Sequence, residues 1–227
     1  MNTRYRGRIA SALVVMLVAA LGLASSHARA EGDALASELL SIQHAWEKSN
    51  YDTADPDAKK RALEELTVRS EALVSKYPGQ AEPLVWHGIV LSSYAAAKGG
   101  LGALSIATKS RDTLLSAVQL NANALQGSAY TSLGALYFKV PRWPIGFGDH
   151  RIASEYLRKA LALNPAGIDP NFFYGELLFE DGNYREALGY LQKALAAPDR
   201  PDRPLADSGR RREATALVAQ VNSKLKG

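Results

Sequence analysis

The chain has 227 residues, no cysteine, and 27 basic against 23 acidic residues. Four of the basic residues (Arg4, Arg6, Arg8 and Arg29) lie within residues 1–30 and every acidic residue lies after residue 30, which leaves 23 basic against 23 acidic over 31–227. That balance removes the basic surface on which phosphate neutralisation depends, so nucleic acid is not an expected partner. The missing cysteine excludes disulfides and thiol nucleophiles, so the core must come from packing alone.

The first thirty residues read as an export signal rather than as part of the fold. Arg4, Arg6 and Arg8 form a positive start, Ile9 to Ala24 is an almost unbroken apolar run of 16 residues, and Ala28-Arg29-Ala30 carries small residues at the two positions a signal peptidase reads. The run is shorter than the roughly 20 residues that span a bilayer comfortably. Cleavage is expected between Ala30 and Glu31, giving a periplasmic protein with no stable membrane anchor. Without a cysteine no lipid can be attached at the processing site, and without a paired arginine the general export route is expected.

Helical signals dominate the rest, and no segment alternates as a strand does. A first helix is expected from Asp33 to about Asn50, with Leu35, Leu39, Ile42 and Trp46 at helical spacing. Asp55-Pro56 starts a second, carrying Leu63, Leu66, Leu73 and Val74 and ending near Tyr77-Pro78-Gly79. These two form an N-terminal helical pair over 31–80.

From residue 81 the chain repeats. Ala153 and Ala187, Leu157 and Leu191, and Ala160 and Ala194 are each 34 residues apart, and Ser110, Leu114 and Ala117 make a weaker copy. A small residue lets a neighbouring helix approach, a leucine one turn later fills the gap beside it, and the next alanine repeats the small contact on the same face. Each such helix follows one with an internal glycine: Gly88, Gly134 and Gly175. Glycine inside a helix costs about 1 kcal/mol relative to alanine, so three in matching places point to tight crossings.

The period, the small-large-small pattern and the closing Asn164-Pro165 resemble tetratricopeptide repeats. The resemblance implies an all-α solenoid of helical hairpins with a concave binding face, built as three repeats over 81–126, 127–167 and 168–201. A polar closing helix from Asp207 to about Leu225, within 202–227, completes it. Two departures interrupt the period. Gly134 to Gly175 is 41 residues, with the surplus at Pro141 to Phe147, and Gly88 to Gly134 is 46, with the surplus around Ala95 to Leu104. Longer insertions of this sort also resemble the periplasmic T-components of TRAP transporters, in architecture rather than in motif.

The resemblance assigns the concave face to the first helix of each repeat: Glu82, Trp86, Ile89, Ser93, Ser128, Thr131, Ser132, Ala135, Lys139, Asp169, Phe172, Phe173, Glu176, Phe179 and Glu180. Phe172, Phe173 and Phe179 form an exposed apolar patch there, unless a following helix covers them. The Pro141–Phe147 insertion either lines a binding site with Arg142, Trp143 and Phe147 or is an ordered turn whose aromatics fill an apolar gap. The candidate partner-binding residues are therefore Trp86, Lys139, Arg142, Trp143, Phe147, Phe172, Phe173, Glu176 and Phe179. Gly99-Gly100-Leu101-Gly102 lacks the Gly-Lys-Ser/Thr ending of a phosphate loop and reads as a flexible inter-helix turn. His44, His87 and His150 show no metal-ligand spacing, no nucleophile elbow is present, and no catalytic residue, metal or cofactor is expected. Arg210-Arg211-Arg212 reads as a solvated run beside Asp202, Asp207 and Glu213, or as a mark of an acidic partner. The expected function is protein or peptide binding in the cell envelope, with small-molecule binding in a transport system as the alternative.

Overall fold

The computed structural model describes residues 29–226, so most of the expected export signal lies outside the described residues. The chain divides into two compact units, residues 1–39 and 40–227. Of the first, residues 29–39 are described and are helical. The second holds the helical array.

Helix α1, residues 29–51, enters the second unit at Leu40. It is followed by α2 (Pro56–Lys76), α3 (Ala81–Lys98), α4 (Gly100–Asn121), a short 3-10 turn (Ala124–Gly127), α5 (Ser128–Lys139), α6 (His150–Leu163), α7 (Ile168–Glu180), α8 (Tyr184–Leu195) and α9 (Pro204–Lys226). No strand occurs among the described residues, and none of the described helices is long and apolar enough to cross a membrane. The start of α2 follows its sequence. Asp55 accepts hydrogen bonds from the main-chain N–H of Asp57 and Ala58, at 3.1 and 3.2 Å, and Pro56 sits where a missing N–H costs nothing.

Three hairpins, α3–α4, α5–α6 and α7–α8, share one contact. Ala153, Leu157, Ala160, Ala187, Leu191, Ala194, Leu114 and Ala117 are completely buried, as is Ser110. Each leucine lies against the glycine of its partner helix. A Cβ on Gly88 would meet Leu114 Cγ at 2.5 Å, one on Gly134 would meet Leu157 Cγ at 2.4 Å, and one on Gly175 would meet Leu191 Cγ at 2.9 Å. In the first hairpin Ser110 replaces the alanine and donates its hydroxyl to the Gly88 carbonyl at 2.6 Å. The degenerate copy therefore packs as the others do.

The two surpluses resolve differently. Pro141–Phe147 is a loop between α5 and α6, as expected. The surplus around Ala95 to Leu104 is not a turn: it lengthens the helices, α3 to 18 residues and α4 to 22. Ala95-Ala96-Ala97 are the best helix formers available, so the helix runs on until Gly99, whose φ of 61° and ψ of −178° only glycine adopts freely. One residue makes the reversal, not a flexible turn.

His87 is the buried polar group that needs explanation, at 3% exposed. Its Nδ1 lies 2.9 Å from Ser70 Oγ, which itself donates to the Thr67 carbonyl at 3.0 Å. Each proton is used once if Nδ1 carries the hydrogen, and Nε2 is then a buried lone pair without a partner among the described residues. Burial, helped by Lys109 and opposed by Glu71, pushes the imidazole down to about 4.

Two outcomes follow from this packing. Gly134→Ala gains about 1 kcal/mol of helix propensity and loses roughly 1–3 kcal/mol to overpacking against Leu157, so its urea midpoint falls. Gly189→Ala, with open space around the added methyl, raises it. His87 stays neutral in the fold while the unfolded chain protonates near 6.5. Its stabilising contribution is therefore complete above pH 6.5 and is lost as pH falls through about 4. At about 1.4 kcal/mol per pKa unit the loss is roughly 3 kcal/mol. His87→Leu flattens the urea midpoint against pH over that range.

Candidate binding lumen

The first and last helices of the second unit meet. Arg203, just before α9, pairs through Nε with the Glu47 carboxylate of α1; the two side chains are 12% and 3% exposed. Its guanidinium lies over the rings of Trp86, at 4.9 Å, and Trp46, at 5.8 Å, and the two indoles meet edge to face at 5.9 Å. Trp46 donates its indole N–H to Ser93 Oγ at 2.8 Å, which ties α1 to α3. Gly209 of α9 faces the Tyr51 ring so closely that a Cβ would stand 2.3 Å from it. His44 Nε2 reaches the Asp202 carbonyl at 2.8 Å.

The linker before α9 and the start of α9 carry a charge network behind this contact. Asp169 of α7 accepts from Arg200 and from Arg210, each at 2.9 Å. Arg200 also pairs with the buried Asp207 at 2.6 Å, and Arg210 with Glu213 at 2.6 Å. Burial works against the Asp169 charge, but Arg210, Arg200 and Arg203 outweigh it and hold the carboxyl down at about 2. Burial pushes the Tyr51 hydroxyl up to about 12. The arginine run is therefore solvated only at Arg212, which is exposed. Arg210 is buried in this network, and Arg211 pairs with Asp199 at 2.8 Å and donates to the Ala197 carbonyl. Of the acids that meet Arg210 and Arg211, Glu213 lies on α9 itself, while Asp169 and Asp199 lie on other segments.

Closure leaves a cavity of about 1220 Å³ inside the array. Its walls differ. α3, α4 and α5 present many small residues, among them Ser93, Ala103, Ala107, Thr131, Ser132 and Ala135, together with the large Trp86 and the charged Lys139, while α1, α7 and α9 present Trp46, Tyr51, Phe173, Arg210 and Glu213. The rim formed by the turn between α4 and α5 holds Leu125 and Gln126 in the left-handed region, at φ of 48° and 55°, a strained placement for side chains that line the cavity. Gln43, Gln126 and Ser132 make no side-chain hydrogen bond among the described residues and keep that capacity for an occupant. Among the described residues no three His, Cys, Asp or Glu side chains converge as a metal site.

The sequence-predicted residues separate into three groups. Trp86, Lys139 and Phe173 line the cavity, with Ile89, Ser93, Ser128, Thr131, Ser132, Ala135 and Asp169 of the expected concave face. Lys139 pairs with Glu176 at 2.7 Å, and the other Glu176 carboxylate oxygen is buried without a partner among the described residues. Phe172, Phe173 and Phe179 do not form an exposed patch. Arg210 lies 4.5 Å from the rings of both Phe172 and Phe173, Phe172 is buried in the core, and Phe179 packs on Tyr184. The closing helix covers the first two. The inserted loop divides: Phe147 is half-buried against Tyr137 and beneath Arg111, whereas Arg142 and Trp143 are exposed. Neither α1 nor α9 was expected at the site; the Trp46 spacing signalled only an apolar stripe.

The chain is similar to the thermophilic TPR protein TTC0263 of Thermus thermophilus, with a TM-score of 0.52 and 19% identity over 72% of this chain and 83% of that one. It is more distantly similar to MamA, with a TM-score of 0.43 and 17% identity over 77% and 96% of the two chains. For pilF of Pseudomonas aeruginosa the TM-score is 0.35, with 15% identity over 82% and 91%. No family model matches the chain, and no curated protein matches it. The fold is that of tetratricopeptide repeat proteins.

Removing one partner of the closing ion pair leaves a buried charge alone, which costs about 3–5 kcal/mol. Glu47→Ala is therefore expected to open the array. Small-angle scattering should show a larger radius of gyration, and amide exchange should speed up over residues 40–51 and α9 while α5 and α6 stay protected. An unchanged profile with unchanged exchange would refute the closure.

Proposed function

We propose that this tetratricopeptide-type array is a non-catalytic binding scaffold that holds an extended polypeptide segment of a partner in its lumen, as an adaptor in the periplasm. The observation that carries this reading is the cavity itself, which is lined on several sides and open to solvent. At about 1220 Å³ it exceeds the roughly 300–1,000 Å³ of small-molecule sites. An extended segment brings main-chain N–H and C=O groups that need partners. The lumen offers hydroxyls and amides from successive helices for them, and small residues that let a backbone come close. The export signal at the N-terminus and the charge balance of 31–227 support a partner in the envelope rather than nucleic acid.

The test uses the protein expressed with its own leader. Periplasmic extract should yield a chain beginning at Glu31. Crosslinking in envelope extract should then capture one partner protein with the wild type and lose it with Ala135→Trp, which fills the lumen. Capture that is indifferent to Ala135→Trp sinks the reading. A stabilising hit in a metabolite thermal-shift screen, with no protein captured, would favour the small-molecule alternative.

A further inference from the structure

Trp143 is the most exposed large hydrophobic side chain among the described residues, at 86%. Its exposure is built rather than accidental. The loop that carries it is pinned by main-chain hydrogen bonds from Ile145 to Arg142 at 3.1 Å, from Gly146 to Arg142 at 3.2 Å, from Gly148 to Pro141 at 3.0 Å and from Asp149 to Tyr137 at 2.7 Å. Its two sides approach so closely that a Cβ on Gly148 would stand 1.9 Å from the Val140 carbonyl oxygen. Phe147 anchors the base, under Arg111 at 4.6 Å and against Tyr137. An indole displayed on so fixed a turn loses little freedom when it is covered, which is what makes an aromatic an effective anchor.

The loop is also continuous with the lumen. Val140, Pro141 and Ile145 line the cavity, whereas Trp143, two residues before Ile145 on the same loop, does not. Ile145 itself is 67% exposed, so one pinned loop presents apolar side chains both to the cavity and to solvent. Arg142 beside it makes no ion pair among the described residues. We propose that the Pro141–Gly148 loop is a docking knob at the mouth of the lumen: the partner segment leaves the cavity across Ile145 and is held outside by Trp143. This rests on the lumen-binding reading above and adds to it the path of the segment and its anchor. A membrane surface would also accept an exposed Trp and Ile, but it would not enter the cavity that Ile145 lines.

The experiment pans a phage-displayed library of random linear peptides against the purified chain and measures the enriched peptides, fluorescein-labelled, by anisotropy. Binding should fall roughly tenfold or more with Trp143→Ala and be lost with Ala135→Trp, while the urea midpoint of Trp143→Ala stays near the wild-type value because the side chain is 86% exposed. Loss with Ala135→Trp alone overturns the knob and leaves the lumen reading standing. Peptides indifferent to both variants, or no enrichment at all, overturn both. Trp143-dependent binding to phosphatidylethanolamine–phosphatidylglycerol vesicles, with peptide affinity unchanged in Trp143→Ala, assigns the tip to lipid and overturns the proposal.

Discussion

The guanidinium of Arg203, set between the Glu47 carboxylate and the indoles of Trp46 and Trp86, is the contact on which the rest of the second unit depends. Helical hairpins stacked side by side give a curved ribbon with two ends. Here the ends are joined, and joining them turns a concave surface into a lumen. Neither partner of the pair would be tolerated alone at that depth, since an unpaired buried charge costs several kcal/mol. The pairing is therefore conditional: α9 returns to α1 or both groups must reach water. Apolar contact could hold two helices together at many offsets, whereas this contact exists at one.

The repeat was legible because its signal is local and its meaning geometric. A glycine on one helix and a leucine on the next state how near two axes can come, and all three hairpins show that approach. The degenerate first copy was legible for the same reason, since serine is small enough to stand where alanine does and its hydroxyl finds the Gly88 carbonyl. Length was less legible. A surplus of residues between matched positions does not say whether it forms a loop or extends two helices. The alanines at 95–97 extend α3, and Pro141 and Pro144 prevent α5 from doing the same.

The site was legible only in part, and the phenylalanines show why. Consecutive residues on a helix point about 100° apart, as 3.6 residues per turn requires. Asp169 and Phe173, four apart, face the lumen, and Glu176, on the same stripe two turns beyond Asp169, pairs with the lining Lys139; Phe172 and Phe179 form the neighbouring stripe and do not line it. Assigning both stripes to one face overlooked that difference. Arg210 was misread for another reason. Of the acids that neutralise it, only Glu213 is near in sequence, while Asp169 comes from α7, whose approach no periodicity announces, as none announces the Glu47 that meets Arg203.

Gly209 and the charge network settle the placement of α9 together. Tyr51 can lie flat on α9 only where the side chain is a hydrogen atom, and Gly209 is the glycine that meets it. Moving α9 by one turn would put Tyr51 against Leu205 or Glu213, both larger than glycine, and would carry Arg210 away from Asp169. Steric and electrostatic demands thus select the same register. That agreement also positions the lumen's aromatic wall, because Phe173, which lines it, lies beneath the arginine that Asp169 holds. The wall opposite, with its alanines and serines, needs no such device, since the Gly–Leu contacts already fix it. The cavity is therefore bounded on one side by repeat packing and on the other by closure.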